Sequence, residues 1–164
     1  MATESSFDVV SNFDDQELTN ALDQTRREVS TRYDLKDTNS EIIHEKEQIV
    51  LVSVSDFAIK NIRDIMESKL IKRGIPLKIL SPGEIETAGG GKTRQTLKLQ
   101  RGISQDLARE IIKDIRAEFP KIRAQIQGDA VRVIGKSRDE LQGVINFLKK
   151  QDYPVALQFE NYRG

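Results

Sequence analysis

The sequence predicts an α+β protein built from two tandem βαββαβ modules, each with a four-stranded antiparallel sheet. Three observations carry that prediction. Short apolar–polar alternations mark strands, apolar stripes at helical spacing mark the helices between them, and the same order of elements occurs twice in 164 residues. With 37% hydrophobic residues, no Trp and 5% aromatics, the cores must be aliphatic. A chain of this length accommodates two small units of roughly 75 to 90 residues.

In the first module, alternation over Phe7–Phe13 predicts the opening strand. A helix starts at Asp14 or Asp15, with Glu17 as capping partner and Leu18, Leu22, Thr25 and Val29 in line. A hairpin of Ser40–Lys46 with Ile49–Val54 follows. The next helix runs from Asp56 on an Ile59, Ile62, Ile65, Met66 and Leu70 stripe until Gly74, and Leu77–Leu80 closes the module. Ile49–Val54 is apolar on both faces, so both faces of that strand are expected to be covered, by the other module or by a second subunit.

The second module opens with Thr96–Gln100, where Leu97 and Leu99 alternate with Lys98 and Gln100. Ser104 caps a helix carrying Leu107, Ile111, Ile112, Ile115 and Phe119, which Pro120 stops. Lys121–Gln127 and Ala130–Ile134 form a hairpin about Gly128-Asp129. Ser137 and Glu140 make a capping box for a helix with Leu141, Val144, Ile145 and Leu148 on its apolar face, and Val155–Glu160 is the last strand. The modules divide at residue 90, and Ser81–Lys92 has the composition of an exposed, mobile linker.

Formal net charge is zero, yet the halves differ. Residues 1–90 hold 11 Lys plus Arg against 17 Asp plus Glu, whereas residues 91–164 hold 15 against 9. The second half is the one that attracts anions. The absence of cysteine excludes disulfides, thiolate catalysis and thiolate zinc sites. The N-terminal MATESSFDVV lacks the basic and apolar regions of a leader, and no apolar run nears the ~20 residues that span a bilayer. A cytoplasmic protein is the expectation.

Gly89-Gly90-Gly91-Lys92-Thr93 has the look of a phosphate loop but has Glu86 where the motif needs its first glycine, and a strand follows where a helix should. It is read as a flexible linker, or as a basic loop with Lys92 and Arg94 that closes over an anion. His44, the only histidine, has no companions at metal-ligand spacing, and no nucleophile sits in a strand–turn–helix elbow. No catalytic machinery, metal site or cofactor is indicated.

In a βαββαβ fold the helices cover one face of the sheet and leave the other open. On the second module alternation aims Lys98, Gln100, Arg123, Gln125, Gln127, Arg132 and Gln158 at that face, donors suited to phosphate oxygens and base edges. The central strand Val131-Arg132-Val133-Ile134 has no aromatic on which bases would stack. Phe7, Phe13, Phe159 and Tyr162 serve either the core or a platform.

Ser6–Ser11, Arg32–Lys36, the long stretch Ile126–Gln142 and Leu157–Arg163 together resemble the bacterial YajQ family over the whole chain. The resemblance implies a duplicated ferredoxin-like fold whose modules exchange first strands. Residues 14–103 would then form one unit, and 1–13 plus 104–164 the other. Lys98 and Gln100 would move to the other sheet while Arg123, Arg132 and Gln158 stay together. The resemblance further implies binding of purine nucleotides and tRNA, and in some members cyclic di-GMP effectors that bind transcription regulators, with no catalytic activity.

Three functions follow as expectations. The first is a cyclic di-GMP sensor in which Arg94, Arg101, Arg132, Lys136 and Arg138 meet phosphates or a guanine edge, while Gln127, Asp129 and Gln158 read base edges. The second is an RNA or tRNA binder using the same basic face. The third is an adaptor without a small ligand. Membrane association is not expected, and homo-oligomerisation is left open.

Overall fold

The computed structural model describes residues 4–164. Eight strands and four helices follow in chain order: β1 (Ser5–Val10), α1 (Asp15–Thr31), β2 (Glu41–Glu45), β3 (Gln48–Ser53), α2 (Asp56–Lys72), β4 (Leu80–Thr87), β5 (Thr93–Leu99), α3 (Gln105–Glu118), β6 (Arg123–Gln127), β7 (Ala130–Gly135), α4 (Arg138–Lys150) and β8 (Gln158–Arg163). They form two four-stranded antiparallel sheets, ordered β6-β7-β1-β8 and β2-β3-β5-β4.

The first strand of each repeat lies in the other repeat's sheet. β1 sits between β7 and β8, and β5 sits between β3 and β4. Phe13–Gln100 makes one compact unit, and residues 4–12 with Arg101–Gly164 make the other. In the Phe13–Gln100 unit the aliphatic stripes of α1 and α2 pack on Ile49, Leu51 and Leu97. In the other unit Phe7 and Val9 of β1 join Val131, Val133 and the stripes of α3 and α4, and Phe7 and Val9 are fully buried there. Fully burying a side chain of this size stabilises by ~1.5–3 kcal/mol, so each exchanged strand is held by the core it enters.

Helix starts follow the capping residues. Asp14 accepts from the amides of Gln16 and Glu17, Ser55 from Ala58, Ser104 from Leu107, and Ser137 from Glu140. Glu17 does not reach back to the cap of α1, because its carboxylate is taken by Arg73 at 3.3 Å and by Asn20. Behind α4, Tyr153 donates to Asp114 of α3 at 2.7 Å and fastens the segment leading to β8. Burial, and then the Asp114 carboxylate, push the Tyr153 phenol well above its ordinary range.

Three sequence expectations are corrected. The stretch read as a linker contains β4, which pairs with β5 across a hairpin. Its Ser, Pro, Gly and Glu residues are mostly solvent-exposed because β4 is an edge strand, where proline and polar side chains are at home. Gly89, Gly90 and Gly91 all take positive φ at its tip, which glycine allows without strain, and Lys92 donates to the carbonyls of Thr38 and Asn39. Second, Leu77–Ile79 is a single 3-10 turn, and the closing strand begins only at Leu80. Third, β8 begins at Gln158, since Val155 is spent on the core before the chain becomes extended.

The doubly apolar strand β3 does bury residues on both faces. Ile49 and Leu51 enter the helix-side core, while Val50 on the other face is 8% exposed between Ile43 and Thr96. His44 is exposed. Among the described residues no helix is long and apolar enough to cross a membrane.

Candidate functional site

The eight residues singled out in the sequence divide among four places. Arg94 lies on β5 in the Phe13–Gln100 unit, ion-paired to Glu86 of β4 at 2.8 Å. The other seven belong to the unit containing Arg101–Gly164.

At the centre of that unit's sheet, Arg132 of β7 stands opposite Asp8 of β1. The guanidinium donates from Nε at 2.9 Å and from Nη2 at 3.3 Å, and Asn161 donates to the same carboxylate at 2.9 Å. Asp8 is 5% exposed although it lies on the face away from the helices. The Arg132 hydrogen bonds hold its carboxyl below the usual carboxylate range in spite of burial, with Asn161 assisting, and Asp8 in turn raises the Arg132 guanidinium. Arg132 is therefore occupied by a partner inside the sheet.

Toward the end of the sheet where β1 finishes, Gln158 accepts from the Asn12 amide at 2.8 Å and Arg101 donates to the Asn12 side chain at 3.1 Å. The Gly102 amide donates to Ser11, and the Ile103 amide to the Asp129 carbonyl. Gly102 has φ +83, and a Cβ there would stand 2.8 Å from the Asp129 carboxylate. Arg101, Asp129 and Gln158 thus secure the two segments where the chain crosses between units. Gln127 is exposed at the tip of the neighbouring hairpin.

At the opposite end of the sheet, where β1 begins, there is a cleft of about 300 Å³. Helical spacing places Arg138, Leu141, Gln142 and Ile145 on one face of α4. Across from them are Ser5, Ser6, Tyr162 and Arg163 from the ends of β1 and β8. Leu141 and Ile145 are buried and form an apolar floor, while Tyr162 is 64% exposed with its ring centroid 6.1 Å from that of Phe7. Arg138 is a cation in the first turn of α4, where the helix dipole favours acids, and it forms no ion pair among the described residues. Lys136 is exposed in the short connection between β7 and α4 but does not line the cleft.

Two guanidinium groups, two hydroxyls, an amide and an exposed phenol ring above an aliphatic floor supply what a phosphorylated aromatic ligand needs: fork-shaped donors for phosphate, a ring for stacking, and apolar walls. A family model described as nucleotide-binding protein YajQ-like matches residues 5–163. The chain belongs to the YajQ-like family. It is 53% identical over 163 residues to proteins named nucleotide-binding protein from Synechococcus sp. strain JA-3-3Ab and from Thermosynechococcus vestitus, covering 99% of this chain and all of each relative. A relative from Chloroflexus aggregans with the same name is 50% identical over 165 residues, again over 99% of this chain and all of its own length. The family relationship and the duplicated α+β fold therefore agree with the reading of the sequence.

Of the sequence candidates, the cleft contains Arg138 alone. The sequence does not mark Ser5, Ser6, Gln142 or Arg163, and it leaves Tyr162 between core and platform. Alternation does not mark Tyr162 and Arg163, because the bulge around Asn161, with φ +59, breaks the pattern of β8 just before them.

Proposed function

We propose that this chain is a non-enzymatic, cytoplasmic nucleotide-binding protein that senses cyclic di-GMP or a related purine nucleotide and passes the bound state to a protein partner such as a transcription regulator. The observation that carries the reading is the cleft between α4 and the ends of β1 and β8. In this reading Arg138 and Arg163, which line it, take phosphate oxygens, Tyr162 stacks on a base, and Ser5, Ser6 and Gln142 bond sugar hydroxyls or base edges. A cleft of about 300 Å³ is the size of one nucleotide half. A cyclic dinucleotide would seat one half there and leave the other at the mouth, where a partner protein can read it.

The printed names of the relatives support nucleotide binding in general, and the choice of a cyclic dinucleotide rests on the family resemblance. The surplus of cations in residues 91–164 favours one rival, an RNA or tRNA binder working through phosphate contacts. Calorimetric titration with cyclic di-GMP, GTP and tRNA at two salt concentrations separates them. The sensor reading expects saturable binding of cyclic di-GMP with modest salt dependence. Binding of tRNA alone with a steep salt slope would favour the rival, and no binding of any of the three would leave an adaptor.

A further inference from the structure

We propose that the groove between α3 and the edge strand β6 is a docking site for an extended acidic–apolar peptide segment of a partner protein, which adds a strand to the β6 edge. The proposal deepens the partner-binding part of the reading above and rests on it.

β6 is the outermost strand of its sheet. In an antiparallel ladder every second residue of an edge strand turns both its N–H and its C=O outward, a template for one more strand. Beside this edge lies a groove of about 500 Å³. Its floor is Ile112, Ala124 and Ile126, and Ile126 is 37% exposed although its strand neighbours on the same face are core residues. Its wall is the cationic row Arg109, Lys113 and Arg116, which helical spacing sets on one side of α3. Arg109 bonds the exposed Asp106, whereas Lys113 and Arg116 have no ion pair among the described residues. Among the described residues no carboxylate lines the groove.

These features select the occupant. A free backbone edge over an aliphatic floor fits a strand with apolar residues on the inner face, and the cations fit carboxylates beside them. RNA would find phosphate partners here but no aromatic side chain to stack its bases. A second copy paired edge to edge would bring two rows of the same three cations together across the junction, which like-charge repulsion opposes.

The test uses the full chain and a fluorescein-labelled heptapeptide, Val-Ser-Glu-Ser-Val-Ser-Glu, whose inward-facing alternate positions carry Val and Glu in turn, read by anisotropy and by hydrogen exchange of the β6 amides. The expected result is saturable binding that slows exchange over Arg123–Gln127 and weakens about tenfold in a Lys113→Glu, Arg116→Glu variant, both changes being at exposed helix positions. The same peptide with Lys in place of Glu should not bind. The proposal is overturned by no binding of the acidic peptide, by binding that leaves β6 exchange unchanged, by oligouridylate protecting β6 in place of the peptide, or by protection that depends on protein concentration alone. Nucleotide titrations on the same samples keep the two readings apart. Loss of peptide binding with nucleotide binding intact removes the groove, and absence of nucleotide binding with peptide binding intact removes the nucleotide cleft and leaves the groove.

Discussion

Asp8 and Arg132 face one another on adjacent strands and share two hydrogen bonds, at 2.9 and 3.3 Å, that join positions 124 apart in the chain. The pair lies at the middle of the sheet face away from the helices, and it couples the exchanged strand β1 to the hairpin that receives it. Because Asp8 is almost fully buried, removing its partner leaves a carboxylate that solvent cannot readily reach. Arg132→Ala is therefore expected to lower stability, by less than the loss for a fully buried pair because Arg132 is partly exposed. Urea denaturation checks this, and an unchanged midpoint would show that the pair contributes nothing.

The same pair fixes the direction of the acid response. A free aspartate titrates near 3.8, and the Arg132 hydrogen bonds hold Asp8 lower in the folded chain. A depressed folded value means that the stabilisation is present above the unfolded value and lost as pH falls through the folded one. Glu28 behaves likewise in the other unit, held low first by its hydrogen bond from Lys69. Stability should thus fall as pH drops below about 4, and Asp8→Asn should flatten that acid limb in denaturation curves recorded between pH 7 and pH 3.

Cutting the chain at residue 90 removes β5 from between β3 and β4, and β1 from between β7 and β8. Each fragment then lacks an inner strand. Fragments 1–90 and 91–164 expressed separately should be insoluble or unfolded by circular dichroism and amide dispersion, and their co-expression should restore a folded complex. A folded, monomeric fragment 91–164 would show that its unit does not need β1.

For the proposed nucleotide cleft, Arg138→Gln and Arg163→Gln should each weaken nucleotide binding by about 10- to 150-fold, the range expected from losing a charge-assisted hydrogen bond. Tyr162→Ala should reduce affinity by about tenfold through lost stacking. Gln158→Ala, at the other end of the sheet, should leave affinity within about twofold. Calorimetry on the four variants decides the location of the site, and a larger loss in Gln158→Ala than in Arg138→Gln would move it to the crossing segments.

Gly102 occupies left-handed backbone against Asp129 where the chain crosses between units. Gly102→Ala should cost about 1–2 kcal/mol through its positive φ, with a further loss if the Asp129 carboxylate cannot move aside. Thermal unfolding of Gly102→Ala beside Gly102→Ala, Asp129→Ala separates the two contributions, since removing the carboxylate relieves the contact and leaves the backbone strain.

Local signals made most elements legible. Ser55, Ser104, Ser137 and Asp14 mark helix starts because a side-chain oxygen before an apolar stripe satisfies the first free amides. Leu97 and Leu99 mark β5 by period-2 alternation, which any half-buried strand shows. β4 escapes these signals for a related reason. An edge strand exposed on most of its residues needs no apolar alternation, and Ser81-Pro82-Gly83-Glu84 reads as loop until its partner strand is known.

The sequence by itself determined the repeated βαββαβ order, the aliphatic cores, the helix boundaries near their caps and the cationic excess of the second half, since each depends on residues within a turn or two of one another. Only the tertiary structure decided what became of the charges. Arg132, a candidate ligand for a phosphate, is taken by Asp8, Arg94 by Glu86, and Gln158 by the Asn12 amide. Arg138 instead lines a cleft together with Tyr162 and Arg163 from the far end of the chain. Whether a cation is spent inside the fold or left for a ligand depends on which side chain folding brings beside it, and alternation along one strand carries no record of the neighbouring strand.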